Sequence, residues 1–126
     1  MLKIHQFLSQ FQNGFRLRKS VLLVDFHKTH LELCRFFLEH GLIRSFHVKQ
    51  KEGIICLEYK YTWDGKSLIK SFKVLSKKRV RHYTKKPNAL GEKHRITVIS
   101  TNRGLLTKDQ CFLFGVGGEE LFQIIF

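Results

Sequence analysis

The sequence predicts an α+β fold of two small domains. Apolar residues recur at helical spacing in two early stretches and at strand spacing in the stretches that follow. A lysine- and arginine-rich run, with the chain's single proline just behind it, then changes the character of the chain near residue 76. Residues 1–75 read as an N-terminal domain, α-β-α-β-β with a further strand (-β). Residues 76–126 read as a C-terminal domain of short strands around one short helix.

Taken in order, Ile4, Phe7, Leu8, Phe11 and Phe15 make one apolar helix face, and Asn13-Gly14 reads as its stop. Residues 1–24 hold no acidic residue and include Lys3, Arg16, Arg18 and Lys19, which invites a transit-peptide reading. The regular apolar face favours a helix that stays in the mature protein. Val21–Phe26 is a short strand. Thr29–His40 is a second helix, with Leu31, Cys34 and Leu38 on one face, joined by Leu33 and Phe37, and Gly41 as its cap. Ile43–Val48 and Ile54–Tyr61 are strands, the second with Ile55, Leu57, Tyr59 and Tyr61 on one side. Asp64-Gly65 reads as a hairpin turn, from which Ser67–Leu75 returns with Leu68, Phe72 and Val74 inward. Beyond the basic run come a strand at Ile96–Ser100, a helix opened by the Thr107/Gln110 capping box, a glycine-rich turn and a last strand at Leu121–Phe126.

The totals narrow the function. In 126 residues, 23 Lys+Arg stand against 10 Asp+Glu, a net charge of +13. Such self-repulsion argues for a polyanionic partner, and nucleic acid leads over an anionic membrane surface because the cations are scattered rather than gathered on one amphipathic helix. No apolar run approaches the roughly 20 residues of a spanning helix, so no membrane partner is expected. Three well-separated cysteines, Cys34, Cys56 and Cys111, are not a disulfide framework and suit a reducing compartment. Twelve Phe against one Pro and one Met suit an AT-rich coding genome such as an organelle's.

The chemistry concentrates between Ile96 and Glu119. Ser100, Thr101 and Asn102 are short hydrogen-bonding side chains. Arg103 adds charge, and Gly104 lets the backbone turn. Gly115-Val-Gly117-Gly118-Glu119 makes a second glycine-rich turn after the short helix. It is not a dinucleotide loop: the third glycine is missing at Glu120, and a helix rather than a strand precedes it. Gly65-Lys66-Ser67 mimics the end of a phosphate-binding loop, but Lys60 stands where glycine is required. His27, His30 and Cys34 fall at i, i+3, i+7 without a matching pair elsewhere, so no metal and no cofactor is expected. Dispersed carboxylates and the lack of a G-x-S-x-G argue against an enzyme.

The order strand, Ser-Thr-x-x-Gly-apolar-apolar-Thr, then Gly-Val-Gly-Gly-Glu resembles the small-subunit ribosomal protein eight family. Ile4-x-x-Phe-Leu-x-x-Phe-Gln-Asn13-Gly14 is similar to that family's opening helix. Phe37-Leu-Glu-His-Gly41-Leu-Ile43 is similar to the end of its second helix, and Arg81-His-Tyr83 to its Arg-x-Tyr. The resemblance implies that the Ser-Thr-Ser-x-Gly loop carries the main rRNA contacts. Ser100, Thr101, Gly104 and the later Thr107 match it, and Asn102 replaces its second serine. It implies that the turn through Gly115, Gly117 and Gly118 packs against that loop and that Glu119 orients loop backbone. Lys77, Lys78, Arg79, Arg81, Lys85 and Lys86 are expected to touch phosphates, and Tyr83 to stack or hydrogen-bond on RNA. Asn13, Arg16 and Lys28 are weaker candidates for a second contact; of the family's Ser-Ser-Lys only Lys28 carries over.

The implied role is structural and non-catalytic. The expected partners are the central domain of small-subunit rRNA and neighbouring small-subunit ribosomal proteins, with no homo-oligomer. The expected place is a mitochondrial ribosome in the matrix, organelle-encoded, or else another organelle or a bacterial cytoplasm. The alternative is a free RNA-binding repressor on the same fold.

Overall fold

The computed structural model describes residues 2–65, 69–75 and 94–126, and the backbone of 82–84. The chain forms two compact units, Leu2–Leu68 and Ile69–Phe126.

The N-terminal unit begins with α1 (Leu2–Arg16), whose Ile4, Phe7, Leu8, Phe11 and Phe15 are all buried, as the periodicity predicts. Asn13-Gly14 does not stop this helix. Gly14 lies inside it and faces Tyr59, whose ring a Cβ at that position would strike. β1 (Val21–Asp25) follows, then α2 (Lys28–Glu39), capped at its start by His27, whose Nδ1 accepts the Thr29 N–H at 3.1 Å. The buried face of α2 is His30, Leu33, Cys34, Phe36 and Phe37, whereas Leu38, expected inward, is exposed.

β2 (Ile43–Lys49) and β3 (Ile54–Tyr59) complete an antiparallel sheet in the order β1-β3-β2. Its buried side carries Ile55, Leu57 and Tyr59, the expected alternation. Phe7, Phe11, Phe37 and Tyr59 form the aromatic heart, with Phe11 5.1 Å from Phe37 and 5.0 Å from Tyr59 between ring centroids. The Tyr59 hydroxyl donates to the Phe11 carbonyl at 3.0 Å, so this buried polar atom is satisfied.

Asp64-Gly65 turns the chain, but the strand beyond does not return onto β3. β4 (Ser71–Val74) pairs antiparallel with β8 (Gly118–Ile125) at the far end of the sequence. The division between units therefore falls after residue 68 rather than at the expected 75/76. The sheet of the C-terminal unit runs β4-β8-β6-β7, where β6 is Arg95–Thr101 and β7 is Gly104–Thr107; β5 (His82–Thr84) also pairs with β8. β5 and β7 are strands that the residue pattern does not announce. α3 (Lys108–Phe114) follows β7 and contributes buried Cys111 to a core of Val98, Ile99, Leu121, Phe122 and Ile124. A register shift between Val98 and Ile99 interrupts the β6–β8 ladder just before the polar turn.

Candidate RNA-binding surface

The expected polar loop is the tip of the β6–β7 hairpin. Thr101 pairs with Gly104, leaving Asn102 and Arg103 as the two loop residues. Gly104 has φ +100°, a conformation that a side chain would strain, so the closure of the hairpin needs glycine there.

The hydroxyls of this turn have different duties. Thr101 Oγ1 donates to the Gly104 carbonyl at 2.9 Å and accepts the Arg103 N–H at 3.1 Å. Thr101 therefore holds the turn in shape. Ser100 is exposed, and among the described residues its hydroxyl has no partner in the protein. Asn102 is exposed beside it. Arg103 reaches across to α3, its guanidinium carbon 5.3 Å from the centre of the Phe114 ring. That contact aims the cation from the hairpin tip without neutralising it.

The glycine-rich turn meets this hairpin through β8. Glu119 pairs with Ser100 on one side and with Tyr83 on the other, so the register row Ser100–Glu119–Tyr83 crosses three strands. Gly118 lies so close to β6 that a Cβ would collide with the Ser100 carbonyl oxygen. The apposition is backbone against backbone, which only glycine permits. Gly115 ends α3 in the left-handed conformation, and Gly117 leads into β8.

Thr107 and Glu119 are less exposed than the tip. Thr107 is buried: its hydroxyl accepts the Gln110 N–H at 3.1 Å, while Gln110 Oε1 accepts the Thr107 N–H at 3.0 Å. It caps α3 and supports the surface from behind. Glu119 lies on β8, paired in register with Ser100. Its Oε1 is buried with no hydrogen-bond partner among the described residues, and it is the Glu119 backbone that joins the strands.

The remaining candidates fall elsewhere. Asn13 on α1 and Lys28 at the start of α2 are exposed, in the other unit. Lys77, Lys78, Arg79, Arg81, Lys85 and Lys86 lie outside the described residues, and Tyr83 is described only by its backbone. His27 and His30 have structural work in place of the metal-ligand reading: His27 caps α2, and His30 Nδ1 donates to the Asp25 carbonyl at 2.8 Å. Among the described residues no cluster of metal-ligating side chains occurs. The Arg103–Phe114 stack and the close approach of Gly118 leave no trace in residue spacing.

An α+β chain of two antiparallel-sheet units, ending in a polar hairpin braced by a glycine-rich turn, is the class of protein that this geometry defines. A family profile for ribosomal protein S8 matches residues 3–125. The chain is 35% identical over 129 residues to "Small ribosomal subunit protein uS8" of Clostridioides difficile, with 96% of this chain and 95% of that protein covered. It is 32% identical over 124 residues to the protein of the same name from Phytoplasma mali, with 96% and 95% covered. With "Small ribosomal subunit protein uS8c" of Tetradesmus obliquus it shares 31% over 131 residues, 96% of each covered. The chain belongs to the ribosomal protein S8 family.

Proposed function

We propose that the protein is a structural, non-catalytic constituent of the small ribosomal subunit that binds the central domain of small-subunit rRNA through the β6–β7 tip. The observation that carries this reading is the exposed Ser100 hydroxyl beside the two-residue tip of the β6–β7 hairpin, without a partner among the described residues. A ribose 2′-hydroxyl both donates and accepts, so a sugar in a shallow minor groove pairs with a serine hydroxyl in either sense. Short side chains on a tight turn enter that groove where a lysine or phenylalanine would not.

The net charge of +13 supplies affinity by counterion release, which makes binding fall steeply with salt. Arg103 at the tip and the basic run Lys77, Lys78, Arg79, Arg81, Lys85 and Lys86 provide phosphate contacts that position the protein without reading sequence. Neighbouring small-subunit proteins are its other partners, and it acts as a single copy away from membranes. The phenylalanine-rich, proline-poor composition supports an organelle ribosome, the mitochondrial one first.

Co-sedimentation tests this reading. The protein is expected to stay with small subunits through a high-salt gradient. A chain that binds RNA but remains at the top of the gradient would instead be a free regulator.

A further inference from the structure

One large side chain of the N-terminal unit has no use in its fold. Trp63 is 99% exposed. It sits in the turn Thr62–Gly65, closed by the Gly65 N–H on the Thr62 carbonyl at 2.9 Å and by the Thr62 hydroxyl on the Asp64 carboxylate. A closed turn presents the indole to solvent rather than letting it fold back.

The surroundings are basic. Tyr61, two residues earlier and therefore within about 7 Å along the chain, donates its hydroxyl to the Lys19 carbonyl. Its ring meets Phe15 edge-on at 5.6 Å. These contacts tie the segment after α1 to the end of β3. That segment is Arg16-Leu17-Arg18-Lys19, exposed throughout, with Arg18 at φ 53°. Burial raises the pKa of the Tyr61 hydroxyl, and the Arg18 charge pulls against it. Lys60 is exposed as well, and Asp64, the carboxylate of the turn, is held by Thr62.

An exposed indole among apolar neighbours would suit a protein partner. An exposed indole three residues from Lys60, on a segment that Tyr61 ties to the Arg16–Lys19 stretch, suits a nucleotide, because a base offers a flat π face and its phosphates offer the charge. We propose that Trp63, with Arg16, Arg18 and Lys19, forms a second RNA contact in the N-terminal unit. The indole stacks on an unpaired base, and the cations hold the adjoining phosphates. This contact rests on the rRNA-binding reading above and extends it to the other unit.

Trp63 is the chain's only tryptophan, so the emission of the full chain reports this residue alone. The probes are a transcript of the small-subunit rRNA central domain and a fully paired RNA duplex of similar length, with filter retention followed in parallel. The transcript is expected to quench the emission in step with retention, and the duplex to leave it unchanged. Trp63→Ala is expected to bind the transcript about 5- to 100-fold more weakly with the same salt slope, and Trp63→Phe to lose less. Because the side chain is fully exposed, the circular dichroism of both variants should match wild type. Retention with unchanged emission, or with unchanged affinity of Trp63→Ala, overturns the stacking contact and leaves the rRNA reading standing. Emission that moves only with small-subunit proteins assigns Trp63 to a protein partner and overturns it too. No retention of any RNA overturns both readings.

Discussion

Gly118→Ala is the substitution that probes the site's architecture most sharply. Gly118 has no positive φ, so alanine suffers no dihedral strain and the experiment isolates the steric effect. The new Cβ would meet the Ser100 carbonyl oxygen and carbon and the Thr101 Cα, all backbone, so no side-chain rotation relieves the clash. Separating the strands there costs about 1–3 kcal/mol of strain. Losing a ladder hydrogen bond beside the Ser100–Glu119 pair adds about 0.5–1.5 kcal/mol. The total is about 1.5–4.5 kcal/mol, on the order of a 1–2 M drop in urea midpoint for a small chain. RNA affinity should fall with it, because the hairpin tip moves off its support. Urea unfolding followed by circular dichroism reads the first effect and filter binding the second. A variant within about 0.5 kcal/mol of wild type, binding RNA normally, would refute the claim that the two turns are locked backbone to backbone.

Other substitutions separate support from contact. Thr107→Ala should cost about 1 kcal/mol in a denaturant titration, while Thr107→Ser keeps the cap and costs less. Arg103→Ala should lower the slope of log affinity against log salt by about one contact, with stability changed by no more than about 1 kcal/mol, since the stack on Phe114 is exposed. Burial pushes the Cys34 thiol from 9.0 up to about 12. The folded state therefore holds that proton longer than the unfolded chain. Its contribution is complete below about pH 9 and is lost as pH rises towards 12. Urea midpoints measured from pH 8 to 10.5 should decline, and less steeply in Cys34→Ala than in wild type.

Much of this arrangement is legible in the sequence where the physics is local. The apolar face of α1, the alternation of β3 and the capping box of α3 all follow from periods of a few residues. What the pattern misreads depends on partners far along the chain. Asn13-Gly14 has the chemistry of a helix stop, yet Gly14 is there to admit the ring of Tyr59. Asp64-Gly65 has the chemistry of a hairpin, but β4 finds a better partner in β8 than in β3. β7 is only four residues, with Leu105 and Leu106 adjacent rather than alternating, so it reads as loop until its pairing with β6 is seen. β5 hides in a basic run whose composition suggests a solvated strip. On α2, Phe36 and Leu38 exchange the sides that residue spacing alone suggests.

The same limit applies within the candidate site. Ser100, Thr101, Asn102, Arg103 and Gly104 stand out from sequence and family resemblance, and the structure brings them together at one hairpin tip. Which hydroxyl is engaged within the turn is decided by hydrogen bonds across it, and spacing cannot distinguish Ser100 from Thr101. The burial of Glu119 Oε1 without a partner among the described residues is equally a product of strand register.

Ser100→Ala tests the central claim most directly, because among the described residues this hydroxyl holds nothing and its loss should leave the fold intact. A titration of the wild type and the variant against a central-domain rRNA transcript, repeated over a salt series, is the measurement. The account predicts affinity about 5- to 10-fold weaker, as expected for a lost hydrogen bond, with the salt slope and the urea midpoint unchanged. Affinity indifferent to the substitution, and no tighter for the transcript than for random duplex RNA, would mean that charge alone drives binding and that the hairpin tip does not read RNA shape.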